Sequence, residues 1–289
     1  MSKILIIGDL HGRMPNIHFG DFDAIVLTGD FCEADFLRAA QFKEIEKKRK
    51  NPAYKMKPWY RVFGRRKARN LIENSAKQGR KILEFLDSQG VSVYVVPGNN
   101  DWAAEKSSDW EYERQGRLKG ILSGLKNIKN THNRLLEIGD FQIIGYGLTH
   151  SPEYPQYPQD LNIIGEKFLA KKKRDYTGWQ KRMDYLFQKA SKPVIFLSHN
   201  APFGTKIDKI LMRSSPRLGH HFGSLIVREA IEKYQPLLSI SGHMHEHYGK
   251  VCLGDTLCIA AGFGADSNTL IETKGAGIIK LRFFRQNPK

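Results

Sequence analysis

The 289-residue sequence predicts an α/β domain built on a sheet that contains parallel strands. Short β-branched runs end in turns made of glycine and an acid or amide. A helical stretch separates the second and third of these runs. The same device of run, turn and polar side chain returns in the second half of the chain.

The first run, Ile4 to Ile7, ends at Gly8-Asp9, and the second, Ala24 to Thr28, ends at Gly29-Asp30. The third, Val91 to Val96, ends at Pro97-Gly98-Asn99-Asn100-Asp101. Apolar runs bounded by turn residues read as buried strands. A helix over about Lys77 to Ser88 makes a βαβ unit of the second and third, so all three acidic turns fall at one sheet edge. That edge, at the carboxyl ends of the strands, is where open α/β sheets carry their sites. Further along, Leu135 to Glu137 and Phe141 to Ile144 form a hairpin around Gly139-Asp140. Val194 to Leu197 leads into Ser198-His199-Asn200, and Leu237 to Ile240 into Ser241-Gly242-His243. Between them, a helix over about Ser224 to Tyr234 aligns Leu225, Ile226, Ala230 and Ile231. Tyr248 to Cys252, Leu257 to Ala261 and Gly277 to Phe284 read as the last strands. No repeat has a solenoid period.

A hydrophobic fraction of 40% with 26% charged residues supports a buried core. No run approaches the roughly 18 apolar residues of a membrane span, and Met1-Ser2-Lys3 runs straight into the first strand without a signal-peptide pattern. The expectation is a cytoplasmic protein forming one domain over 1–289. Cys32, Cys252 and Cys258 are odd in number and lack C-x-x-C spacing, which argues against a zinc ribbon or disulfide framework; they read as small packing residues.

The net charge of +16 is concentrated in two segments. Arg38 to Lys81 carries about +13 and Glu166 to Lys192 about +6, leaving the rest near neutral. Two basic insertions, at about 38–81 and 151–192, are expected on the domain. Asn51 to Arg69 and Ser151 to Asp160 read as irregular, and Gly165 to Lys189 as a charged helix or helical hairpin. Arg65-Arg66-Lys67 lies near Trp59, Tyr60 and Phe63, and Lys171-Lys172-Lys173-Arg174 near Tyr176 and Trp179. These are the ingredients of a nucleic-acid track with stacking platforms. The competing reading is a solvated helix face whose aromatics pack inward.

The chemistry sits at the strand ends: Asp9-x-His11, Gly29-Asp30, Gly98-Asn99-Asn100-Asp101, His199 and His243-x-His245. Taken singly, the aspartates could be helix N-caps, Asn99 a turn residue and the histidines ordinary turn residues. Together they supply donors for two divalent ions sharing one carboxylate. Mixed imidazole and carboxylate donors suit first-row metals such as Mn, Fe, Co, Zn or Ni better than Ca or Mg, and Mn²⁺ is the ion expected.

In this order the blocks resemble the calcineurin-like metallophosphoesterase pattern D-x-H, G-D, G-N-x-D, H and G-H-x-H, spanning Asp9 to His245. The resemblance implies a two-sheet β-sandwich flanked by helices. It also implies that Asp9, His11 and His245 hold one metal, that Asn99, His199 and His243 hold the other, and that Asp30 bridges. In the implied reaction the two ions clamp phosphate oxygens and activate a water for in-line attack on phosphorus. Asp101 is expected to orient a ligand or the acid from behind. One departure matters: many members have His after the ligand asparagine, thought to protonate the leaving group, and here that residue is Asn100. An amide is no proton donor near neutral pH. The departure favours activated esters and diesters unless another residue substitutes; among His220, His221, His150 and His247, His221 is the first candidate. The leading reading is a phosphodiesterase acting on a nucleotide-like or small phosphodiester. The alternatives are a nuclease or RNA/DNA-processing factor using the basic segments, and a non-enzymatic interaction module on the same scaffold. The G-N-H-E block typical of protein Ser/Thr phosphatases is absent, and oligomeric state leaves no mark in the sequence.

Overall fold

Twelve strands pair into two six-stranded sheets in the computed structural model, which describes residues 1–104, 108–147, 152–161, 165–213, 215, 217–275 and 277–286. The first part of the chain forms β1 (Ser2–Ile7), β2 (Ala24–Leu27), α1 (Asp35–Lys50), α2 (Trp59–Phe63), α3 (Arg65–Asp87) and β3 (Ser92–Val95). Then come α4 (Glu111–Arg114), α5 (Leu118–Leu122), β4 (Ile128–Asn130), β5 (Leu135–Ile138), β6 (Phe141–Tyr146) and α6 (Pro158–Leu161). The last part forms α7 (Glu166–Gln188), β7 (Val194–Ser198), α8 (Leu225–Tyr234), β8 (Leu238–Ser241), β9 (Tyr248–Leu253), β10 (Thr256–Ala261), β11 (Ser267–Lys274) and β12 (Gly277–Arg285).

One sheet runs β12-β11-β1-β2-β3-β4, with β1 to β4 parallel, β11 antiparallel to β1, and β12 antiparallel to β11. The other runs β5-β6-β7-β8-β10-β9, parallel from β6 to β10 with an antiparallel strand at each edge. Alternate residues explain why the strands are apolar throughout. Ile4, Ile6 and Val26 face Ile195, Leu197 and Ile240 across the seam between the sheets. Leu5, Ile7, Ile25 and Leu27 point the other way, onto Ile72, Leu83 and Leu86 of α3. On the far side, Phe196 and Cys258 meet Met183 of α7 and Ile226 and Ile231 of α8. A strand covered on both faces has no polar side to show. The result is the expected α/β sandwich flanked by helices.

The basic segments are more regular than their composition suggests. The helix expected from Lys77 begins at Arg65, because Ala68, Ile72, Ala76, Ile82, Leu83 and Leu86 recur at helical spacing on one buried stripe. Arg65, Arg66, Lys67 and Arg69 fall on its exposed face. No periodic pattern announces α1, whose last turn gathers Lys47, Lys48, Arg49 and Lys50 at the negative end of the helix dipole. Gly165 to Lys189 resolves into the single helix α7, not a hairpin. Ser224 caps α8 by accepting from Val227 N. Two strands were not expected: β4, only three residues long, and β11, whose polar residues are nonetheless buried. Cys32 and Cys258 pack in the interior, whereas Cys252 is exposed. Among the described residues, no helix is long and apolar enough to cross a membrane.

Candidate metal centre

The parallel strands deliver their carboxyl ends to one rim of the sandwich. β1, β2 and β3 lead into Asp9 and His11, Asp30 and Asn99, while β7 and β8 lead into His199, His243 and His245. Each sheet therefore supplies part of the cluster, four residues from one and three from the other. Two sets of donors form, Asp9 with His11 and His245, and Asp30 with His199 and His243; within each set the donor atoms lie within 4.8 Å of one another. In the first set, His11 Nε2 is 3.0 Å from His245 Nε2, which is 2.9 Å from Asp9 Oδ2. Asp30 Oδ2, 3.6 Å from His199 Nε2 in its own set, is also 3.5 Å from His11 Nε2 of the other. Asn99 Oδ1 is 2.9 Å from His199 Nε2.

This arrangement asks for positive charge. His199 Nδ1 donates to the Thr28 carbonyl at 2.9 Å, so a neutral ring presents a bare Nε2 to the Asn99 carbonyl oxygen. Two lone pairs at that separation call for a proton or a bound cation between or beside them, and the donor set of carboxylates, imidazoles and an amide oxygen fits divalent cations. The titration tendencies agree. Burial opposes charge on His199, but Asp30 and Asp9 outweigh it and push the ring up. Burial likewise opposes charge on Asp9, yet His199 and His245 hold it below the usual carboxylate range. His243 is pushed down to about 3 by burial and then by the charge of His199, which leaves a neutral ring with a free lone pair.

The backbone around the cluster is strained. His11, Asp30 and His243 have φ of 44°, 47° and 61°, in the left-handed region that non-glycine residues seldom occupy. Specific contacts hold each one there. Leu10 N and His11 N both donate to the Asp30 carbonyl, at 3.0 and 2.7 Å, and His243 N donates to Asp9 Oδ2 at 2.8 Å. Asp101 does the same for Asp30. Fully buried, it accepts from Asp30 N and Gly98 N through Oδ2, both at 2.7 Å, and from Cys32 N through Oδ1 at 3.0 Å. Burial and then the charge of Asp30 push its carboxyl up to about 7, although three backbone donors suit the anion. Two motif glycines permit the close approach of these loops. A Cβ on Gly98 would stand 2.1 Å from Asp30 Oδ1, and one on Gly242 2.1 Å from Asp9 Oδ1.

Asn100 donates to both oxygens of Asp30, from its backbone N at 2.8 Å and from Nδ2 at 2.7 Å. It works as a clamp on the central carboxylate. His221 is not among the described residues that line the cavity of about 490 Å³ over the cluster. Its Nδ1 is 2.7 Å from Asp208, a buried carboxylate that also accepts from Gly204 N, Thr205 N and Gly223 N. His220 stacks on Tyr157, His247 Nε2 is 2.7 Å from the Lys209 carbonyl, and His150 lies outside the described residues. Thr28 was missed by the sequence reading: its hydroxyl donates to Asp9 Oδ1 at 2.9 Å. Its place at the end of the second apolar run was the available signal. Arg13, Arg38 and Arg285 also line the cavity, two of them from α1 and β12, where no local pattern marks them.

The aromatics of the first basic segment pack inward and do not stand out among the basic side chains as a surface track. Tyr60 is 1% exposed, and Trp59 is half-buried against Phe36, Trp102 and Trp110, with its indole N–H on Glu113. In the second segment Tyr176 bonds to Glu229 and Trp179 rests beside Tyr146.

A family model described as calcineurin-like phosphoesterase matches residues 2–247. Among solved structures, one aligns with a TM-score of 0.61 and 19% identity, covering 98% of this chain and 99% of that one. TT1561 of Thermus thermophilus aligns with a TM-score of 0.52 and 15% identity over 98% of each chain. These likenesses show a shared fold. No curated protein matches.

Proposed function

Since this chain belongs to the calcineurin-like phosphoesterase family, we propose that it hydrolyses a phosphodiester, nucleotide-like or small, whose leaving group departs readily. Asp9, His11 and His245 would hold one divalent metal, with Mn²⁺ first in order, and Asn99, His199 and His243 a second. The observation that carries this reading is the place of Asp30, whose Oδ2 stands 3.5 and 3.6 Å from a histidine of each set. When bound, the ions supply Lewis-acid neutralisation of the phosphate oxygens and activation of water.

The chain's own residues do the rest. Asn100 and Asp101 fix the side chain and backbone of Asp30, so the central carboxylate is oriented before substrate arrives. Arg13, Arg38 and Arg285 draw an anionic substrate into the cavity. No proton donor stands at position 100, and a general acid is worth about 10²–10⁴-fold for a poor leaving group. The rate therefore rests on the leaving oxygen, which favours diesters and activated esters over alkyl monoesters.

The test is turnover of bis(4-nitrophenyl) phosphate, 4-nitrophenyl phosphate and an alkyl monoester by metal-free and Mn²⁺-loaded protein, with Asp30→Asn as control. Metal-dependent turnover of the diester is expected, and of the two monoesters the aryl one, with the better leaving group, is expected to be the faster. Turnover that survives chelation or the Asp30→Asn change would sink the proposal.

A further inference from the structure

A second chamber opens beside the metal centre. Its volume is about 600 Å³, within the span of small-molecule sites. It meets the cavity over the metal cluster at Leu37, Gln41, Asn99 and Asn100, which line both spaces. Helix α1 is thus a common wall. On the far side the chamber is bounded by Met56, Trp59 and Trp102.

The wall chemistry narrows what fits. The indole N–H of Trp59 donates to Glu113 Oε1 at 2.7 Å and that of Trp102 to Ser75 Oγ at 2.6 Å, with the ring centroids 6.1 Å apart. Both rings are fixed before any ligand enters, so ordering them costs little on binding. The two acids of the wall are already engaged. Glu44 accepts from Lys47 Nζ, Tyr54 OH and Lys57 N, and Glu113 from Trp59 and Ser108. Asn99 and Asn100 are already engaged with His199 and Asp30, so a guest meets indole and aliphatic surface at one end and the Gln41 amide toward the metal centre. An alkyl chain would leave that amide unused, whereas a ring with heteroatoms uses both kinds of wall.

We propose that this chamber receives the organic part of the substrate, and that this part carries a planar heteroaromatic ring of nucleobase type. The assignment rests on the phosphoesterase reading, because it is the phosphate over Asp30 that carries the ring past Asn99 and Asn100.

The experiment measures affinities, by calorimetry on the Mn²⁺-loaded protein, for inorganic phosphate, ribose 5-phosphate, adenosine 5′-monophosphate and octyl phosphate. Adenosine 5′-monophosphate is expected to bind at least about 10-fold more tightly than ribose 5-phosphate, the lower part of what base–aromatic stacking supplies. Trp59→Ala, and Ala104→Leu at the exposed rim of the chamber, are expected to cut that advantage to less than about 3-fold. The affinity for ribose 5-phosphate stays as it was. Equal binding of the nucleotide and the sugar phosphate, or an advantage that survives both substitutions, overturns the chamber assignment and leaves the phosphoesterase reading standing. Tighter binding of octyl phosphate shows an aliphatic guest and also overturns it. Should no phosphate compound bind and bis(4-nitrophenyl) phosphate not turn over, the underlying reading fails and takes this one with it.

Discussion

Asp101→Asn isolates the device that orients the central carboxylate. The amide oxygen can replace Oδ2 and keep the bonds from Asp30 N and Gly98 N. The NH₂ group then faces Cys32 N–H, donor against donor, where Oδ1 had accepted at 3.0 Å. One hydrogen bond to a carboxyl that is only partly charged near neutral pH is lost, worth about 0.5–3 kcal/mol, and one buried N–H is left unpaired at about 1–3 kcal/mol. The two overlap, so a loss of about 2–4 kcal/mol is expected in urea unfolding of the metal-free protein. A second effect follows from the strained backbone. With its anchor on Cys32 N lost, the side chain at 101 holds Asp30 N less firmly, so the φ of 47° relaxes and the carboxylate moves, and supporting residues of this kind cost about 10–100-fold in metal affinity. Calorimetric titration with Mn²⁺ reads that loss. Unchanged unfolding midpoint and unchanged affinity would refute the whole argument, while a destabilised protein with full affinity would show that Asp101 supports the fold without orienting Asp30.

Three further outcomes are expected. Gly242→Ala places a Cβ 2.1 Å from Asp9 Oδ1, so the protein should retain less metal than the unaltered chain after dialysis, measured by mass spectrometry; equal content would show that the loops can part freely. Asn100→His restores a proton donor, and the ratio of alkyl-ester to nitrophenyl-ester turnover should rise by about 10²-fold; an unchanged ratio would remove position 100 from leaving-group chemistry. His132 is held down to about 4 by burial, with Arg134 adding to the effect, whereas the unfolded chain takes up its proton near 6.5. Because the unfolded state binds that proton first, stability falls as pH drops from about 6.5 to about 4, by up to about 3 kcal/mol, and is unaffected above that window. His132→Gln keeps an acceptor for Gly147 N–H and is expected to flatten this part of the melting-temperature profile; an identical acid slope in both proteins would rule His132 out as its source.

The rim of the sandwich was legible in the sequence because its strands are covered on both faces. Ile4 to Ile7 and Val194 to Leu197 advertise themselves as apolar runs, and each polar residue of the cluster follows directly after such a run. β11 lacked that signal. Its Ser267, Asn268, Thr269 and Thr273 are buried with hydrogen-bond partners, such as the distant Ser2 carbonyl at 3.1 Å from Thr273 Oγ1, which no hydropathy pattern reveals. The direction of a side chain was equally out of reach. Asp101 lies close in sequence to Asn99, yet it turns inward to the backbone of Asp30. Trp59 beside Arg61 and Arg65 looked like a stacking platform on composition, but long-range packing against Trp102 and Trp110 decided where its ring went. Arg38 and Arg285 reach the cavity from α1 and β12, elements that no motif ties to the strand ends.

Because each sheet contributes part of the cluster, whatever cation settles there also rivets the two halves of the molecule along their shared seam. An ion present at a thousand times its dissociation constant adds about 4 kcal/mol to the folded state, and here that energy acts across the boundary where the layers could slide. Stripping it away leaves the seam to its apolar side chains, with the like-charged donors of the rim no longer neutralised. Heat should then scramble the rim before it melts the strands beneath.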